Sequence, residues 1–244
     1  MGQPKISVII PTYNRACKLK RALLSVQQQS IKDFELIIVD DGSTDNTEEE
    51  LNKLLPCYDF TVHYTKLDKN YGPSYARNRG VERATGKYVA FLDSDDYWEK
   101  DFLKHLSFFL DVHTDIGLVY CDTHLRNDRN NVLFTFSLAP YSYDKLLNSN
   151  GCIATGSLMF RKPLWYKCGG FREDMRRAED FEWQLRMGEI CNFERYPAVL
   201  HHYYRSSDGL IQMNNKNTAL LRSSVEAVNN TKKMIKDRKI ARSK

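Results

Sequence analysis

The chain has no apolar stretch approaching the ~18–20 residues that cross a bilayer, and none of its six cysteines stands in a C-x-x-C pair. Cys17, Cys57, Cys121, Cys152, Cys168 and Cys191 are scattered, which reads as reduced thiols rather than a disulfide framework or a zinc site. The opening residues, MGQPKISVIIPTYNR, carry too brief an apolar run for a signal peptide, and Ile6 breaks the myristoylation pattern. No Walker loop and no G-x-G-x-x-G follows the first apolar run, so a phosphate-bearing ligand needs some other grip than a glycine-rich cradle. The expectation is a cytoplasmic protein, at most peripheral at the inner face of a membrane.

What is present suits a soluble α/β domain. Of 244 residues, 42% are hydrophobic and 27% charged. The net charge of +5 is unevenly placed. From Asn229 onward there are seven Lys/Arg against one Asp, leaving a body of 29 basic and 30 acidic residues. Nucleic-acid binding would spread positive charge over a folded face, so no nucleic-acid partner is expected. The segment 229–244 reads either as a solvated basic tail or as a peripheral contact with an anionic membrane.

KISVIIPTYN is a β-branched run ended by Pro11, as in a strand buried on both faces. Residues 15–29 place Leu19, Ala22, Leu23 and Val26 at helical spacing. FELIIVDD (34–41) is a second strand; Asp45 or Asn46 can cap the acidic-ended helix NTEEELNKLL. FTVHYTKL (60–67), a helix from Gly72-Pro73 to about Gly86, and the strand KYVAFLDSDD follow. Four strand–helix alternations in under 100 residues predict a mostly parallel sheet with helices on both faces. Beyond these, helices are expected at 99–112 and 177–188, strands at 116–121 and 156–160, a further run at VLFTFSL and extended chain at 196–205. With no repeat and no low-complexity linker, one domain is expected.

In such sheets ligands bind beyond the carboxyl ends of the strands. Those ends carry Pro11–Asn14, Asp40–Ser43 and Asp93–Asp96, three polar clusters on one edge. Asp93, Asp95 and Asp96 could grip a hard divalent cation, which takes one or two carboxylates and completes its shell with phosphates. Equally, Ser94 or Asp95 could cap the helix beginning near Trp98. The residues alone leave the two readings open.

Taken together, SVIIPTYNR, FELIIVDDGSTDNT, NYGPSYARNRGVERATGKYVAFLDSDD and AEDFEWQLR closely resemble glycosyltransferase family 2. These inverting enzymes have a GT-A (Rossmann-like) fold, and the resemblance runs from about Ile6 to Arg186. It implies a GT-A domain over 1–228, with a nucleotide-binding half to about 98 and an acceptor half beyond, followed by the tail. It implies a UDP-sugar donor, Mn²⁺ or Mg²⁺, and a glycan, lipid-linked or protein acceptor.

Carried over residue by residue, Pro11 and Tyr13 match the uracil site and Asp41 the carboxylate that accepts the uracil N3–H, unless Asp41 merely braces the next turn. Asn70 and Arg77 match the nucleotide and diphosphate side. Asp93-Ser94-Asp95 matches the D-x-D motif, with Asp93 nearer the ribose or sugar and Asp95 as metal ligand. Asp96, His201 and His202 are alternative or additional ligands. Glu179-Asp180 matches the E-D pair, in which the Asp is the base that takes the acceptor proton. Glu179 and Trp183 fall on the acceptor side, and Trp98, Trp165 and Trp183 are either a sugar-stacking floor or core. Arg205 resembles a late residue that closes over the diphosphate. Q-x-x-R-W, the signature of processive members, is absent, which favours transfer of a single sugar in glycan or polysaccharide synthesis. Two alternatives stand beside this reading: an inactive nucleotide-sugar-binding relative or scaffold, and a nucleotidyltransferase, for which no glycine-rich turn follows the first strand.

Overall fold

The computed structural model describes residues 2–127, 129–137, 142–148, 153–175, 177–204 and 218–242. In chain order these form β1 (Ile6–Thr12), α1 (Ala16–Gln27), β2 (Phe34–Asp40), α2 (Thr47–Leu54), β3 (Thr61–Lys66), α3 (Pro73–Arg83), β4 (Tyr88–Phe91) and the short β5 (Tyr97–Trp98). There follow α4 (Phe102–Val112), β6 (Ile116–Arg126), β7 (Val132–Phe136), α5 (Tyr143–Asn148), β8 (Leu158–Arg161), α6 (Lys162–Cys168), α7 (Glu179–Met187), β9 (Asn192–Tyr204) and α8 (Thr218–Arg242).

Every residue of β1 and β2 is buried, because helices cover both faces of the sheet. Successive side chains of a strand point to opposite faces. Ile6, Val8 and Ile10 therefore meet Leu19, Leu23 and Val26 of α1 and Phe102 and Leu106 of α4. Ile9, Ile37 and Phe91 face the other way, toward Ala76 and Val81 of α3 and Trp183 of α7. The α3 backbone comes so close that a Cβ on Gly80 would lie 2.4 Å from Ile9 Cγ2. Only glycine allows that approach.

The strand order is β3-β2-β1-β4-β8-β6-β9-β5, with β7 on β6. The expected parallel sheet is present as β3, β2, β1 and β4. β8 is antiparallel to both β4 and β6, and β6 and β9 are again parallel. At its far end β9 pairs His201 and His202 with Trp98 and Tyr97, just past the acidic cluster. A strand from the second half thus reaches the carboxyl edge of the first.

Several elements differ from expectation: β6 runs on to Arg126, β9 starts at Asn192, and α5 and α6 have no counterpart among the expected elements. β8 starts at Leu158, because Thr155–Ser157 coils into a 3-10 turn. More substantially, the boundary expected after residue 228 falls inside α8. Thr231 and Ile235 are buried there, so this stretch is not a solvated tail. Ala227, Val228 and Ile235 pack on Phe181 and Leu185 of α7 and on Leu146 and Leu147 of α5. The basic composition concealed an apolar stripe at helical spacing, which gains burial energy only once α5 and α7 present a surface for it.

Candidate active site

The carboxyl ends of β1 and β2 are tied to each other and to the start of α3. Asn14, in the left-handed region at φ 51°, donates its amide to Ser43 Oγ (2.9 Å) and accepts Thr44 N–H on Oδ1 (2.8 Å). Asp40 is fully buried, accepting Ser43 N–H at 2.8 Å and Tyr64 O–H at 3.0 Å. The two carboxylate oxygens of Asp41 accept the amides of Tyr71 and Gly72, each at 2.8 Å. Through these bonds Asp41 ties the end of β2 to the start of α3, not to the turn that follows it. Pro11 is buried at this edge, Tyr13 is 41% exposed and Asn70 is exposed.

Arg77, on α3, joins the two acidic motifs. Its Nη2 donates to Asp93 Oδ1 at 2.7 Å and its Nη1 to Glu179 Oε1 at 3.1 Å. Burial opposes the guanidinium charge, but the Asp93 and Glu179 carboxylates outweigh it and raise the Arg77 pKa. Its Nε is buried without a partner, and the guanidinium expected on the nucleotide and diphosphate side is engaged with these two acids. The next residue, Asn78, holds the Phe171 backbone through both its amide atoms at 2.9 Å, fixing the chain that leads to α7.

The three aspartates of the cluster have different surroundings. Asp95 lies 3.9 Å from Arg15 Nη2, and its backbone carbonyl accepts from Arg21, whose guanidinium stacks on the Tyr204 ring. Burial, with repulsion from Asp96 and Asp93, pushes the Asp95 carboxyl up to about 6. Asp96 is turned inward, 1% exposed, accepting Tyr204 N–H at 2.9 Å with Oδ2 3.2 Å from His201 Nε2. Burial and the Asp93 charge raise its pKa well above the usual carboxylate range. Ser94 is buried.

Both histidines are structural partners at the end of β9. His201 is fully buried between Asp96 and Thr123, the latter 3.1 Å from Nδ1. His202 receives Arg126 Nε on Nδ1 (2.8 Å), its Nε2 is 2.7 Å from Glu99, and Tyr97 stacks on the ring. Burial lowers each imidazole to about 4, leaving both neutral. Among the described residues no three His, Cys, Asp or Glu side chains form a ready-made metal shell. The residues nevertheless fit a divalent ion of the kind completed by substrate phosphates. Asp93, Asp95 and Asp96 repel one another despite the nearby Arg15, Arg21 and Arg77, and Asp93 and Asp95 are the partly exposed members that could reach such an ion.

Glu179 and Asp180 open α7 directly after Ala178, which holds φ 54°, a left-handed conformation uncommon for alanine. Burial and the neighbouring Asp180 charge raise the Glu179 pKa, against the pull of Arg77. Asp180 is half-buried and accepts the Phe181 amide at 2.8 Å. Trp183 corrects the acceptor-side expectation. It is 0% exposed and packs on Phe160, Trp165 and Phe171, and Trp98 and Trp165 are likewise core rather than a sugar floor. Arg205 lies outside the described residues.

Sequence reasoning missed Arg21, Asn78, Thr123 and Tyr204. Of these only Arg21 had a visible signal, the Arg15, Lys18, Arg21 spacing along one side of α1. A cavity of about 450 Å³, lined by Thr114, Arg161, Glu189 and Asn192 among others, lies at the opposite end of the sheet from these acids and bears none of them.

A family model described as glycosyl transferase family 2 matches residues 7–170. An uncharacterized glycosyltransferase of Haemophilus influenzae is 38% identical over 154 residues, covering 62% of this chain and 60% of that protein. This chain thus spans about three-fifths of the length of that relative. A PGL/p-HBAD biosynthesis glycosyltransferase of Mycobacterium bovis is 33% identical over 214 residues, covering 86% of this chain and 80% of that protein. Among solved structures, S. aureus TarS 1–349 in complex with UDP-GlcNAc superposes with a TM-score of 0.75 at 22% identity, over 91% of this chain and 64% of that one. That likeness shows the fold.

Proposed function

The chain belongs to glycosyl transferase family 2, and from that premise we propose that it transfers one sugar from a UDP-sugar to an acceptor hydroxyl, with metal dependence and inversion. The carrying observation is that one guanidinium, Arg77, stands between the D-x-D acid Asp93 and the E-D acid Glu179. Displacing a diphosphate from a sugar carbon needs a cation-gripping group and a base close together. The fold brings the two motifs that supply them into contact through one side chain.

In this reading Pro11, Tyr13 and Asp41 hold the uracil, Asn70 lies on the nucleotide and diphosphate side, and Asp93 and Ser94 line the ribose and sugar. Asp95 would hold Mn²⁺ or Mg²⁺, with Asp96 behind it as a brace to β9. The ion, when bound, supplies positive charge that offsets the charge developing on the departing diphosphate. Asp180 takes the acceptor hydroxyl proton as the acceptor oxygen bonds to the anomeric carbon. The bond from that carbon to the diphosphate breaks with its electron pair leaving on the diphosphate, and attack from the opposite side inverts the centre. Arg77 holds Glu179 in place beside the base. Arg205 remains a candidate for closing over the diphosphate.

Single-sugar transfer is supported by the absence of Q-x-x-R-W. Among the described residues no helix is long and apolar enough to cross a membrane. The name of the mycobacterial relative, a PGL/p-HBAD biosynthesis glycosyltransferase, supports a biosynthetic sugar transfer; the acceptor in this reading is a glycan, a lipid-linked saccharide or a protein. The UDP-GlcNAc in TarS supports a UDP-sugar donor. The test is nucleotide release from a panel of UDP- and GDP-sugars with and without Mn²⁺. A UDP-sugar turned over only with the metal is expected; release from GDP-sugars alone, or indifference to metal, would overturn the reading.

A further inference from the structure

The C-terminal helix takes no part in the reaction proposed above, yet it is bonded to the helix that carries the acid pair. Glu182, two residues after Asp180, is 2% exposed. It accepts Thr231 Oγ1 of α8 at 3.1 Å and is gripped by Arg186, with Nε at 2.9 Å from Oε1 and Nη2 at 2.7 Å from Oε2. Arg186 donates in turn to three successive carbonyls, Cys168 (2.7 Å), Gly169 (3.1 Å) and Gly170 (2.8 Å). The next residue, Phe171, is the one held by Asn78, beside Arg77 on α3. From α8 to Arg77 the hydrogen bonds form a circuit around Glu179 and Asp180, closed by the Arg77–Glu179 bond.

The basic residues of α8 are largely turned to this docking. Arg238 pairs with Glu189 just beyond α7 at 3.1 Å, and Lys239 pairs with Asp144 of α5 at 2.8 Å. Lys236 donates to Asn148 at 3.1 Å, and Lys232 sits 5.0 Å from the centre of the Phe181 ring. Both α7 and α8 lie beyond the residues matched by the family model.

We propose that α8 is a strap that sets the position of the Glu179-Asp180 pair, with Thr231, Glu182 and Arg186 as positioning residues. The inference rests on the reading of Asp180 as base. A fully buried carboxylate must keep its partners or shift them, so Glu182 transmits the placement of α8 to the first turn of α7. Arg186 passes the same constraint to the chain entering α7.

The test compares Thr231→Val, which keeps shape and loses the donor, with Thr231→Ser, which keeps it. Amide hydrogen exchange is followed in the full chain at 168–172, 178–187 and along α8, alongside UDP release from the donor found active. Thr231→Val is expected to speed exchange about tenfold at 178–187 and 168–172. It should lower kcat several-fold with donor KM within about twofold, and Thr231→Ser should restore both. Faster exchange confined to α8, with 178–187 unchanged, overturns the proposal, as does a loss that Thr231→Ser does not restore. Failure of the enzymatic reading would show separately, as wild-type chain releasing nucleotide from no UDP-sugar. The exchange measurement does not depend on that result.

Discussion

Asp93 and Glu179, from opposite halves of the chain, are held by one guanidinium: Arg77 lies 2.7 Å from the first and 3.1 Å from the second. The bridge holds a buried carboxylate, Glu179, and a partly exposed one, Asp93, on one buried cation. It also links the motif that ends β4 to the one that opens α7.

Removing the bridge should be costly. Arg77→Met leaves the buried Glu179 and the partly exposed Asp93 without their cation, and a loss of about 3 kcal/mol is expected. Urea unfolding of the two proteins measures it. A change under about 1 kcal/mol would show that the acids do not depend on Arg77.

Stability should fall with pH in a defined window. The folded Asp95 carboxyl is raised to about 6 from an ordinary 3.8, so between these values the folded chain holds a proton that the unfolded chain has lost. The associated stability is fully present below the unfolded value and is lost as pH rises through about 6, worth on the order of 3 kcal/mol. Asp96 and Glu179, also raised, act in the same direction. Asp95→Asn should remove part of the slope, so the melting temperatures of wild type and variant diverge between pH 4 and 7. Parallel curves would contradict it.

Nucleotide binding should depend on Asp95 through the ion. Wild-type chain is expected to melt several degrees higher with UDP and Mn²⁺ together than with either alone, and Asp95→Ala should lose that increment. A variant stabilised as much as wild type would exclude Asp95 as the ligand and turn attention to Asp93.

Asp180→Asn separates chemistry from binding. Turnover should drop about 10²–10⁴-fold while UDP affinity, followed by calorimetry, stays within about threefold. Affinity falling in step with turnover would mean that Asp180 helps hold the donor and is not the base.

Much of the site was legible because its residues sit where strands end. PTYN, VDDGS and DSDD each close a buried apolar run, so their common edge follows from the parallel alternation alone. Less legible was the division of labour within DSDD. Asp95 and Asp96 are chemically alike and adjacent, but Asp96 is claimed by Tyr204 and His201 from β9. No local pattern announces a partner more than 100 residues away.

The sequence by itself determined the α/β alternation, the buried strands and the family motifs, because hydrophobic period and turn chemistry act over neighbouring residues. Only the tertiary structure decided that Trp183 is core, that Arg77 unites two acid motifs and that the basic C-terminal stretch belongs to a docked helix. Each depends on which surface a side chain meets, and those surfaces exist only once distant elements have packed. The excess of lysine and arginine after Asn229 resembled a free tail until the sites that receive it, Asp144, Glu189 and the stripe facing α7, were folded into place.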